Sequence, residues 1–153
     1  MRSRQTMLLA GLAGAVIVAA GGFWFLSSTG NASGMRPDDR EFVTLGAEIY
    51  ADQCASCHGR DGKGEPNWRE PLATGGMPAP PHDESGHTWH HPGQLLFDYT
   101  KRGGQALIGD RGKSNMPPFG DVLSDDEIWA VLSYIKSTWP AEIRAMHDQR
   151  NGS

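Results

Sequence analysis

Apolar positions along this chain fall into a few periodic runs separated by long polar stretches. Leu8–Leu26 is 19 residues without a charge. As a helix it is about 28 Å long, close to the thickness of a bilayer's hydrocarbon core. Further on, Phe42, Leu45, Ile49 and Tyr50 recur at helical spacing behind Asp38, with Glu41 three residues after it as in a capping box. Pro92–Lys101 predicts a short helix, with proline at its start, Leu95, Leu96 and Tyr99 on one face and Gly103-Gly104 at its end. Ser124 and Glu127 form a second capping box, ahead of Ile128, Val131, Leu132, Ile135 and Trp139, and Pro140 stops that run. Residues 60–81 and 105–113 have no period and read as loops, and 141–153 reads as a polar tail with the character of a frayed helix.

Twenty glycines and ten prolines in 153 residues fit short helices joined by long loops rather than a sheet. The expected fold class is therefore all-α. The chain divides into a basic start (1–7), a transmembrane anchor or signal (8–26), a flexible tether (27–37), one domain (38–139) and the polar tail (140–153). Arg2 and Arg4 keep the start cytoplasmic if the run is an anchor. Val18-Ala19-Ala20 resembles a cleavage site, but Phe23-Trp24-Phe25-Leu26 continue the run past it, which favours an uncleaved anchor. Either way the domain is exported. The chain's net charge is −4, and without Arg2 and Arg4 the remainder carries −6, which argues against nucleic acid as a partner and leaves a protein partner with a basic face.

The chemistry sits in Cys54-Ala55-Ser56-Cys57-His58. C-x-x-C-H is the attachment signature of a c-type haem: two thiols on one helical turn each add to a vinyl group of one porphyrin, and the next histidine offers an imidazole to the iron. The chain has no other cysteine, so it has thiols for one such haem and none left for a disulfide. A thioredoxin-like pair would sit in a βαβ pattern, which is absent, and a structural zinc would need two more ligands at zinc spacing. Either Pro66 or Pro71 offers a carbonyl to the far ring nitrogen of His58, or both only stiffen the loop. A thioether suits a low-spin haem iron, and Met116, in the proline-braced Ser114–Gly120 loop ahead of the last helix, is the candidate sixth ligand. Met77 is its rival, while Met35 and Met146 lie too near the ends.

A helix running into C-x-x-C-H, a Met116-Pro117 loop and a capped aromatic last helix together resemble the class I cytochrome c family over about Asp38–Trp139. The resemblance implies a haem-wrapping bundle of few helices, one covalent haem c, one-electron transfer, and a crossing of the first and last helices near Gly46 and Tyr134. The stretch from Pro78 to Pro92 departs from the ordinary family pattern. Four of the six histidines, His82, His87, His90 and His91, fall there with Asp83 and Glu84. Three readings stay open: packing at the haem edge, a second site for copper or zinc, or a histidine replacing Met116 on iron.

The function expected is one-electron transfer by a membrane-tethered monohaem carrier, not an enzyme, in a respiratory chain. The haem domain faces the periplasm, on the bacterial cytoplasmic (inner) membrane. Its partners would be membrane redox complexes or other electron carriers. The alternatives are a haem subunit of a larger oxidoreductase complex, and a copper-linked redox or metal-handling protein using His82–His91. A gas sensor or peroxidase would need a labile sixth ligand.

Overall fold

The computed structural model describes residues 34–151. The anchor or signal expected at Leu8–Leu26 lies outside them; among the described residues no helix is long and apolar enough to cross a membrane. All regular structure in the described residues is helical.

Helix α1 is Arg40–Ile49. Its cap is Asp39 rather than the expected Asp38: Asp39 Oδ1 accepts from the Phe42 amide at 3.1 Å, and Asp38 instead pairs with Arg144 at 3.1 Å. Its buried face is Phe42, Gly46 and Ile49. Leu45, expected on that face, is 39% exposed, because Gly46 marks the middle of the contact and Leu45 lies on its flank. The helix then widens into a π turn, Tyr50–Cys54, before α2, Ala55–His58. Such single wide turns insert an extra residue and concentrate at functional positions.

Helix α3, Gly93–Arg102, begins after Pro92 and ends at Gly103. The stretch read as loop from Gln105 holds α4, Gly104–Ile108, and a 3₁₀ turn at Gly109–Arg111. Helix α5, Asp125–Ser137, has the expected capping box, with Ser124 and Glu127 each bonded to the other's backbone. Such a cap contributes about 1 kcal/mol. It is the centre of the core: Ile128 and Ala130 are fully buried, Phe97 stacks on Trp129 with centroids 4.6 Å apart, and α1 lies across it.

Residues Ala141–Asn151, read as a polar tail and frayed helix, form the 11-residue helix α6. It is held by polar contacts, which is why no apolar period announced it. His147 is only 2% exposed and faces the Trp139 ring at 5.2 Å. Lys136, buried on α5, pairs with Asp148, and Asn151 Oδ1 accepts from the Gly93 amide at 2.8 Å.

Burial and the nearby Lys136 and Arg150 push the His147 pKa below its ordinary 6.5, against an opposing pull from Asp148. The folded chain therefore favours neutral imidazole, while the unfolded chain protonates it near pH 6.5. Stability contributed here is complete above pH 6.5 and is lost as pH falls below it. The denaturant midpoint should fall between pH 7 and pH 5, and His147→Gln should flatten that slope. An unchanged slope in the variant would place the acid sensitivity elsewhere.

Candidate functional site

The π turn and α2 deliver the two cysteines and His58 within one short stretch. Cys54 is half-buried and Cys57 exposed, both free thiols. Burial, and then Cys57, raise Cys54 to about 11, so it rests as a protonated thiol. His58 is buried, and its Nδ1 donates to the carbonyl of Pro80 at 2.9 Å. A carbonyl only accepts, so the proton is on Nδ1 and the lone pair on Nε2. Burial lowers the His58 pKa, with the Pro80 bond and Glu65 opposing it.

The carbonyl partner is thus Pro80, not Pro66 or Pro71. Its position follows from how the loop is pinned. Gly64 donates to the His58 carbonyl at 2.8 Å, Glu65 to the Ala79 carbonyl at 2.9 Å, and His82 to the Gly62 carbonyl at 2.7 Å. The Glu65 carboxylate accepts from the Ala79 amide at 2.7 Å. Gly64 has φ +67°, and a Cβ there would lie 2.6 Å from the Pro80 carbonyl carbon. Only glycine permits this approach. Sequence spacing alone favoured the nearer prolines; the consecutive Pro80-Pro81 pair, a rigid extended run, was the available signal.

Met116 is half-buried in a pinned loop. Its amide donates to Ser114 Oγ at 3.3 Å, and its carbonyl accepts from Gly104 at 3.1 Å. Met77 is 44% exposed. It lines a cavity of about 570 Å³ together with Pro71, Tyr99, Ile108, Arg111 and Lys113. These walls come from α3, α4, the 3₁₀ turn and two loops, while the donors come from the π turn and α2. The donor set, not the cavity, identifies the site.

The four loop histidines do not converge. His82 stacks on His58, with ring centroids 4.0 Å apart and planes at 22°. His87 lies between Trp68 and His91, at 5.3 and 5.4 Å. His90 stacks on Trp89 at 3.6 Å and accepts from Arg150 at 3.1 Å. Among the described residues no three His, Cys, Asp or Glu side chains are grouped to hold a metal, so the copper or zinc expectation is not supported. Packing draws them to different partners: His82 to His58 and Thr88, His90 to Trp89 and Arg150, and His87 and His91 to each other beside Trp68.

A protonated Nδ1 on a carbonyl, a free Nε2 and two thiols on the adjoining turn match what a covalently held haem requires. The helical fold that carries them is that of a c-type cytochrome. The chain belongs to the family described as cytochrome c oxidase, cbb3-type, subunit III, which it matches over residues 41–135. Among its relatives is the cbb3-type cytochrome c oxidase subunit FixP of Sinorhizobium medicae, 28% identical over 62% of this chain and 29% of the relative. Cytochrome c-552 of Thermus thermophilus is 36% identical over 61% of this chain and 67% of the relative. The crystal structure of cytochrome cL from Methylophaga aminisulfidivorans shares the fold, with a TM-score of 0.50 and 19% identity over 71% of this chain and 64% of that one. The chain spans under a third of FixP's length. Family membership implies haem c and electron transfer. The relatives include one named as a cytochrome and one named as an oxidase subunit, so membership alone does not decide between a carrier and part of an enzyme.

Proposed function

We propose that this chain transfers single electrons through one haem c bound covalently by Cys54 and Cys57, with His58 and Met116 as iron ligands. The chain works on the periplasmic side of a bacterial cytoplasmic membrane, tethered by Leu8–Leu26, in a respiratory chain. The observation that carries the reading is the His58 Nδ1–H to Pro80 contact at 2.9 Å beside two free thiols. When bound, haem supplies a one-electron iron couple. The chain's own residues do the rest. The two thiols fix the group, Pro80 holds His58 and raises its basicity, and the pinned 114–120 loop presents a soft thioether that raises the potential. If His58 and Met116 both ligate the iron, no site would be left open to a substrate.

The test is to produce the full chain with a bacterial c-type maturation system. One haem per chain should stay attached after denaturation and acid–organic extraction, titrate with one electron, and fractionate with membranes. Cys54→Ala/Cys57→Ala should release all of it. Haem that extracts freely from the unaltered chain would overturn the reading.

A second reading, a haem subunit of a larger oxidase, is favoured by the FixP relationship. A partner co-purifying in fixed ratio from membranes would select it, whereas a monomer that exchanges electrons freely would select the mobile carrier.

A further inference from the structure

His82 is the residue whose placement is least explained by electron transfer as proposed. It lies far from His58 in sequence, yet the two imidazoles are nearly parallel, with centroids 4.0 Å apart. It is held on several sides. Its amide donates to the Gly62 carbonyl at 2.7 Å, and its carbonyl accepts from Trp139 Nε1 at 2.7 Å. The Tyr50 ring meets its edge at 6.0 Å and 69°, and the Tyr50 hydroxyl is itself tied to the Gly59 carbonyl at 3.0 Å.

The hydrogen bonds also fix its tautomer. His82 Nδ1 lies 2.9 Å from Thr88 Oγ1, and the Thr88 hydroxyl donates to the Pro81 carbonyl at 3.3 Å. Pro81 is fully buried, so its carbonyl needs that donor. The single hydroxyl proton is then used, and Nδ1 must be the donor to Thr88. The ring cannot turn over without breaking this chain. Thr88 is itself buried on the short 3₁₀ turn Thr88–His90.

We propose that His82 is a positioning residue for His58: its fixed ring holds the plane of the His58 imidazole and, through it, tunes the reduction potential. The proposal rests on His58 being an iron ligand. The Pro80 carbonyl restrains only one edge of the His58 ring, at Nδ1. Rotation about that edge would drive the ring into His82. The flat neighbour therefore fixes the remaining degree of freedom and keeps the Nδ1–H aimed at Pro80, the contact that makes the ligand more basic and favours ferric iron. An axial imidazole's plane also decides how unpaired spin spreads over the porphyrin, so the ferric haem-methyl resonances report it directly.

The test uses the full haem-bearing chain and three variants. His82→Leu fills the space without a flat face, His82→Phe keeps the flat face without the polar edge, and Thr88→Val removes the anchor of the ring. In His82→Leu and Thr88→Val the haem-methyl shift pattern should change. The reduced-to-oxidised ratio at a fixed solution potential should rise about threefold, about 28 mV for a one-electron couple at 59 mV per decade. His82→Phe should keep the original pattern, because its larger ring, wedged between the Tyr50 and His58 rings, needs no bond to Thr88 to stay flat against His58. An unchanged pattern and ratio in His82→Leu overturn the proposal. If that variant does not retain haem, the other two decide: a shift in Thr88→Val with retention in His82→Phe supports it, and any other combination overturns it. Failure of the underlying reading looks different, because the unaltered chain would then show no covalent low-spin haem at all.

Discussion

Met116→Ala is expected to turn a closed haem protein into one whose ferrous form binds carbon monoxide within the mixing time, while Met77→Ala stays closed. Both thioethers lie between the attachment turn and the last core helix, and sequence alone left them as rivals. Their settings differ physically. The Met116 backbone is held at both ends, by Ser114 Oγ and the Gly104 amide. The loop beyond it is then bonded to α3: Phe119 donates to the Thr100 carbonyl at 3.0 Å and Gly120 to the Lys101 carbonyl at 2.9 Å. A weak, soft bond to iron survives only if the loop that carries it is already ordered, because ordering it on binding would consume the bond energy. Met77 also sits between bonded neighbours, the Leu72–Gly76 turn and Ala79 on Glu65, but it is 44% exposed where Met116 is half-buried. Loss of the thioether should also lower the potential, so the reduced fraction at fixed solution potential falls more than tenfold, at least about 59 mV. Carbon monoxide binding in Met77→Ala and not in Met116→Ala would reverse the assignment, and a closed haem in both would remove thioether ligation.

The helices legible in the sequence are those with an apolar stripe and a side-chain cap. For α5, Ser124, Glu127 and the run Ile128 to Trp139 all agree with one another, and local and global preferences coincide. Helix α4 was invisible for the opposite reason. It has five residues, its buried position is Gly104, and it packs by letting Ser114 come close, so hydropathy carries no trace of it. Helix α6 was legible only as a frayed helix because its anchors are a histidine, an ion pair and an asparagine. Such contacts look like solvated surface in a sequence and differ from it only in what they face.

The same division holds at the site. Cys54, Cys57 and His58 are adjacent, so spacing alone groups them. The Pro80 carbonyl and the His82 ring depend on a loop closure between residues 59–65 and 79–83, made by backbone hydrogen bonds that any sequence offers. Besides the Pro80-Pro81 pair, the sequence clue was Gly64, whose role shows only once the Ala79–Pro81 backbone is beside it. Of the readings left open for the histidine stretch, the second metal site is unsupported for a related reason: density of ligand types along the chain says nothing about convergence, and here Trp68, Trp89 and Thr88 draw the rings to separate partners.

Gly46→Val should be the most damaging single change outside the attachment site, lowering stability by about 3 kcal/mol or more. At Gly46 the two principal helices approach so closely that an added Cβ would fall 2.6 Å from the Ala130 carbonyl carbon and 2.9 Å from Tyr134 Cβ. Neither is the free end of a side chain. Relief requires α1 to move away from α5. That motion unpacks Phe42 and Ile49 on one side and Val131 and Ile135 on the other. It also shifts the start of the π turn that aims the cysteines, because Tyr50 both packs in the core and bonds to the Gly59 carbonyl. The damage should therefore appear twice in the haem-bearing chain: as a lower denaturant midpoint, and as a lower yield of chain with haem attached. Leu45→Ala is the matched control on the same helix, and its exposure predicts a loss under about 1 kcal/mol with normal haem content. Equal midpoints for Gly46→Val and the unaltered chain would mean that the helices separate at no cost, and the close crossing would then play no part in holding the site.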